Sequence, residues 1–216
     1  DYQYLERFSE LILESGANAD LLAMWHLNME DFIIEEFAPD ADLTFLFRLE
    51  PWLAPKRPWT AALAGKKVLV IHPFERTIQE QYKKRELIFP NSDILPAFEL
   101  RTLKAVQTLC GEEDERFATW FDALDYMYEK AMQIDFDVAV IGCGAYGMPL
   151  ASMLKNAGKQ AIHLGGATQL LFGIKGYRWE NNYPTKIATF FNDAWTRALA
   201  EETPKNAGMV EKGCYW

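Results

Sequence analysis

Two glycine-rich bends carry the residues best suited to chemistry. The first, Gly142-Cys143-Gly144-Ala145-Tyr146-Gly147, follows an apolar run at 137–141 and opens a helix; the second, Gly165-Gly166 with Thr168, follows an apolar run at 160–164 that contains His163. Glycine lets a backbone approach a ligand closely, and a helix start offers N–H groups without intrahelical partners. Such bends therefore suit an anionic, phosphate-bearing guest; the plainer reading is that the glycines only permit close helix–strand packing. Lys175 and Arg178 follow within GIKGYRWENNYP and supply the local cations that an acidic chain would need. Tyr146, Tyr177, Trp179, Tyr183 and Trp195 offer flat faces for a sugar or base beside Asn181 and Asn182; a packed surface loop is the plainer reading of the same residues.

A third strand-end cluster is His72, directly after the apolar run KVLVI, with Glu75 and Arg76 at the head of the next helix. An imidazole titrates near neutrality, so His72 and Glu75 form the candidate acid–base pair, against a turn-and-cap role for His72. His163 reads either as a phosphate contact or general base, or as a satisfied core residue. Cys143 has no partner base in any signature and reads as a small filler. A dinucleotide reading of G-x-G-x-x-G expects an acidic residue at the end of the following strand, where this chain has His163. Asp135 and Asp137 precede their strand, on the edge away from a carboxyl-end site, and read as solvated entry residues rather than metal ligands.

The elements that must hold these groups are legible from periodicity. Residues 4–14 show helical spacing; 21–25 and 43–47 read as strands, with Asn28 as the cap of a helix between them. Strands are expected at 67–71, 99–109, 137–141 and 160–164, and helices at 75–88, 116–132 and 148–157. Continuous Val/Ile/Leu/Phe strands alternating with helices imply a parallel sheet covered on both faces. The expectation is a single α/β domain over residues 1–216: a Rossmann-like three-layer sandwich with a mostly parallel sheet of about six strands. In such sheets ligands bind outside the carboxyl ends of the strands, where His72 and both glycine bends lie.

Composition narrows the partners. The net charge of −9 over 216 residues argues against nucleic acid as a partner. Three dispersed cysteines, Cys110, Cys143 and Cys214, suit reduced thiols and a cytoplasmic setting, and no run reaches the ~20 apolar residues of a membrane span. Glu112-Glu113-Asp114-Glu115 reads as a charged helix start, and seven tryptophans leave room for an aromatic interface in a homo-oligomer.

The stretch IGCGAYGMPLASMLKNAGKQAIHLGGATQLLFGIKGYRWE resembles the C-terminal core of GT-D-fold glycosyltransferases, in particular bacterial and viral relatives associated with surface-polysaccharide synthesis. The likeness extends through KVLVIHPF and ELRTLKAVQT to the ending GCYW. It implies transfer of a hexosyl group from a nucleotide-sugar, a UDP-sugar first, to a glycan acceptor. Gly142, Gly144 and Gly147 would approach the donor, with Gly165, Gly166 and Thr168 nearby. The family's Asp-x-Glu motif, which would bring Mn²⁺ or Mg²⁺, has no match here and is expected upstream of Asp1. The alternative reading is a noncatalytic Rossmann-like module that binds a nucleotide or glycan.

Overall fold

The computed structural model describes residues 2–109, 113–182, 186–210 and 212–216, Asn182 through its backbone alone. Cys110, Glu112 and Tyr183 lie outside the described residues. The ordered elements are α1 (Tyr2–Ala17), β1 (Leu21–Met24), α2 (Glu30–Phe37), β2 (Asp42–Phe45), β3 (Lys67–His72), α3 (Glu75–Tyr82), α4 (Arg85–Ile88), β4 (Glu99–Lys104), α5 (Trp120–Met132), β5 (Val138–Ile141), α6 (Gly147–Asn156), β6 (Gln160–His163) and α7 (Ala167–Leu171), joined in part by short 3₁₀ turns.

The main sheet has four parallel strands in the order β4-β3-β5-β6. Its alternating side chains feed two cores. Val68, Val70, Val138 and Val140 face one cluster with Phe74, Ile78 and Phe172. Leu69, Ile71, Ala139 and Ile141 face another with Leu124, Met127, Leu150 and Leu154 from α5 and α6. Both faces being covered explains why these strands read as unbroken apolar runs. The expectation of six strands in one sheet is corrected here: β1 and β2 form a separate two-stranded parallel pair, in register from Leu21↔Asp42 to Met24↔Phe45. They are four residues each and more exposed than the central strands, and they close a small βαβ unit around α2.

Local signals explain the boundaries. Helix α5 starts at Trp120, later than the apolar stripe suggested, because Thr119 and Asp122 form a capping box: the Asp122 N–H donates to Thr119 Oγ1 at 3.2 Å and the Thr119 N–H to Asp122 Oδ2 at 2.8 Å. Helix α6 ends where Gly158 takes φ +79° and the Gly158 and Lys159 N–H groups return to the Lys155 and Leu154 carbonyls. Asn28 does not cap α2. Met29 occupies that position at φ 68°, and the Glu30 carboxylate instead accepts from the Trp25 and Leu27 N–H groups. Strand β4 stops at Lys104, short of the 109 expected. The C-terminal residues pack back onto the core, with Trp216 buried against Phe74.

Candidate functional site

Strand order places the topological switch between β3 and β5, since β3 connects outward to β4 and the chain then crosses back to β5 and β6. That is where a crevice is expected, bounded by His72 and Gly142. The two glycine bends do meet here, and they meet in contact. A Cβ on Gly142 would lie 2.7 Å from the Gly165 carbonyl oxygen, from His72 Cδ2 and from Thr168 Cβ. A Cβ on Gly147 would fall 2.2 Å from the His163 ring. The glycines thus let the bends close on one another and on two imidazoles, and Gly144 and Gly165 adopt positive φ to make the turns. Thr168 is fully buried in this contact, and its hydroxyl oxygen lacks a hydrogen-bond partner.

Neither imidazole offers a cation. Burial pushes His72 down to about 3 and His163 down to about 4, so both are neutral at physiological pH. His72 Nδ1 accepts the Phe74 N–H at 3.0 Å, which leaves the proton on Nε2 and makes His72 the brace of the turn after β3. Burial also pushes the Cys143 thiol up to about 12, which removes its nucleophilicity. Tyr146 stacks on Trp120 with centroids 4.6 Å apart. Gly166 sits under Tyr215 and Trp179. Lys175 lies 3.7 Å from Glu180, and Arg178 lies over the Tyr215 ring at 5.0 Å. Asp135 and Asp137 both tie to Lys67 at the opposite, amino edge of the sheet.

The open space at the carboxyl edge lies to the other side, over β3 and β4. A cleft of about 770 Å³ is lined by Pro73 and Glu75 after β3, by 103–107 at the end of β4, by Asp114, Arg116 and Tyr126, and by 200–205 from the tail. Its volume is in the range of small-molecule sites. Of the sequence-derived candidates only Glu75 lines it, accepting from the Thr102 hydroxyl at 2.9 Å. Arg76 stands just outside, paired with Glu201. The other polar groups escaped sequence reading. Lys104 escaped because the strand was expected to run to 109, which hid Lys104 in its middle rather than at its carboxyl end. Arg116, which clamps Asp114 through Nε at 2.8 Å and Nη2 at 2.6 Å, and the strap 200–205 left no local signal.

That strap is held by Glu202, a buried carboxylate that accepts the Arg76 N–H at 2.7 Å, the Thr77 N–H at 3.1 Å and the Thr77 hydroxyl. The start of α3, where the fold offers unpaired donors, is therefore filled from within the chain. Among the described residues no three His, Cys, Asp or Glu side chains converge as metal ligands. The carboxylates of the cleft do not fit a divalent ion either: Glu75, Asp114, Glu201 and Glu202 are each engaged by a hydroxyl, a guanidinium or a helix start. No family model, no curated protein and no solved structure matches the chain. What its residues establish is an α/β protein with parallel sheets and a roomy polar cleft at the carboxyl edge of the larger one.

Proposed function

We propose that the chain binds a nucleotide-sugar in the cleft over β3 and β4 and acts as a glycosyltransferase, with a Rossmann-like core as its scaffold. The observation that carries this reading is the position and size of the cleft: about 770 Å³ at the edge of the sheet where such folds hold ligands. Lys104, Arg116 and Lys205 would meet the diphosphate, and the Tyr126 ring the base or sugar. Four carboxylates against three cations make the cleft a poor host for bare phosphate. The favoured guest is one that also brings hydroxyl donors, as a sugar does.

Glu75 is the carboxylate placed to take the proton from an acceptor hydroxyl as its oxygen bonds to the anomeric carbon. The bond from that carbon to the diphosphate breaks as the new bond forms, and the diphosphate leaves with the electron pair. This assignment puts the ligand in the cleft and leaves the glycine bends, with His72, His163 and Thr168, as packed structure beside it. Calorimetry and thermal unfolding with UDP, UDP-glucose and glucose test it. Ligand at 100-fold its Kd would add about 2.7 kcal/mol, worth roughly 5–10 °C in a chain of this size. K104Q would weaken UDP binding several-fold, and E75Q would stop turnover while leaving binding intact. No binding of any of the three ligands would overturn the proposal.

One observation favours the noncatalytic alternative. Glu75, Asp114, Glu201 and Glu202 each have a partner within the chain, so a structural role accounts for all four carboxylates of the cleft. Binding of UDP-glucose with no release of UDP in the presence of glycan acceptors would select that reading.

A further inference from the structure

The negative charge and the exposed apolar side chains of this chain are concentrated in the same stretch of sequence. Residues 1–50 hold twelve acidic residues and two basic ones, Arg7 and Arg48, for a net charge of −10. The other 166 residues hold 19 acidic and 20 basic, for +1. Of seventeen large apolar side chains that are exposed among the described residues, thirteen fall between Tyr2 and Phe47. Trp25 is 63% exposed, and Leu27, Met29, Phe32, Phe45 and Phe47 are each at least 46% exposed. Summed over these side chains, on the order of 1,000 Å² of apolar surface is thereby left in water, far more than the scattered single apolar residues of an ordinary surface.

Two further features mark the surface as built. The segment between β1 and α2 holds His26 at φ 58° and Met29 at φ 68°, left-handed conformations that cost energy in residues with side chains. The Glu30 carboxylate, bonded to the Trp25 and Leu27 N–H groups at 2.9–3.1 Å, locks that loop with its apolar side chains outward. Beside it, α1, α2 and β1 enclose an apolar pocket of about 160 Å³, lined by Ile12, Leu13, Leu22, Ile33, Phe37 and Met148. An apolar cavity of that size admits a benzene-sized group, hence one aromatic or leucine side chain as an anchor.

We propose that this N-terminal face docks a basic amphipathic helix of a partner protein. An apolar residue of that helix would sit in the α1–α2 pocket, and its Lys or Arg residues would lie over Glu35, Glu36 and their acidic neighbours. Charge decides among the occupants. A second copy would set −10 against −10 at the same contact, and an anionic membrane would be repelled in the same way. A basic apolar helix gains from both components of the surface.

The test uses the full chain and an 18-residue amidated Leu/Lys amphipathic helix as probe, with the Leu/Glu peptide of the same pattern as control. Trp25 is the most exposed tryptophan among the described residues, so binding is read as a blue shift of its emission and by calorimetry. The expected result is micromolar binding of the Leu/Lys helix, none of the Leu/Glu helix, and at least tenfold weakening by 0.5 M salt. E35K/E36K would weaken binding at least tenfold while the unfolding temperature holds, and F37S would do so by removing a wall of the pocket. Should F37S unfold the protein, the charge variant still decides the matter. Equal binding of both peptides, no binding of either at 100 µM, sedimentation as a dimer that shifts Trp25 emission, or adsorption to phosphatidylcholine or phosphatidylglycerol vesicles without peptide selectivity would overturn the proposal.

Discussion

Acidification gives a direct test of how the floor of the sheet edge is packed. A histidine whose folded pKa is depressed takes up its proton preferentially in the unfolded chain. Its contribution to stability is complete above the ordinary 6.5 and is lost as pH falls from there toward about 3, the value to which burial pushes His72. At pH 5 this linkage costs ~2 kcal/mol from His72 alone, and the part-exposed His163, lowered to about 4, adds a smaller share. A loss of that size is a substantial fraction of the ~5–15 kcal/mol that holds a typical domain together. The perturbation of choice is His72→Asn, whose side-chain oxygen can still accept the Phe74 N–H but cannot titrate. Urea unfolding at pH 7.5 and pH 5.0 is compared for the two proteins, so that any packing loss common to both pH values cancels. Wild type should lose ~2 kcal/mol more than His72→Asn over that interval. Equal losses, or a native-state imidazole titration of His72 near 6.5, would refute the buried neutral brace.

Two further substitutions examine the contacts that hold the site. Gly147→Ala puts a methyl group against the His163 ring, where a Cβ would lie at 2.2 Å; chemical denaturation should show a loss of about 1–3 kcal/mol, and a double-mutant cycle with His163→Ala should return more than ~1 kcal/mol of coupling. Glu202→Gln removes the charge that caps α3 and turns an amide toward donors, which should cost about 1–2 kcal/mol in urea and speed proteolytic cleavage within 199–205; unchanged midpoint and cleavage rate would contradict the role given to that carboxylate.

Strand periodicity and glycine spacing made the central part of the fold legible, because KVLVI and DVAVI are apolar on both faces and tolerate only a covered sheet. The pairing of β1 with β2 was not legible. LLAM and DLTF look like any short strands, and nothing in four residues says which sheet they join. At the site, the strand-end rule found the sheet edge that holds Glu75, missed Lys104 because its strand was read as running to 109, and took as open the glycine bends that are closed. Glycine serves close approach of protein to protein as readily as of protein to ligand, and only the imidazoles of His72 and His163 in contact with Gly142 and Gly147 decide which. The strap was invisible for another reason. Glu202 acts on Arg76 and Thr77 from 126 and 125 residues away, a distance at which sequence carries no periodic trace.

That separation bears on how the chain is made. When α3 leaves the ribosome, the carboxylate that will satisfy its first donors has not yet been synthesised, and Trp216, which rests on Phe74, comes later still. Vectorial synthesis can assemble the β3–β6 sheet early, yet the mouth of the cleft and the start of α3 close only after residues 200–216 have emerged. A nascent chain stalled before residue 202 would present a sheet already paired and a doorway still without its lintel.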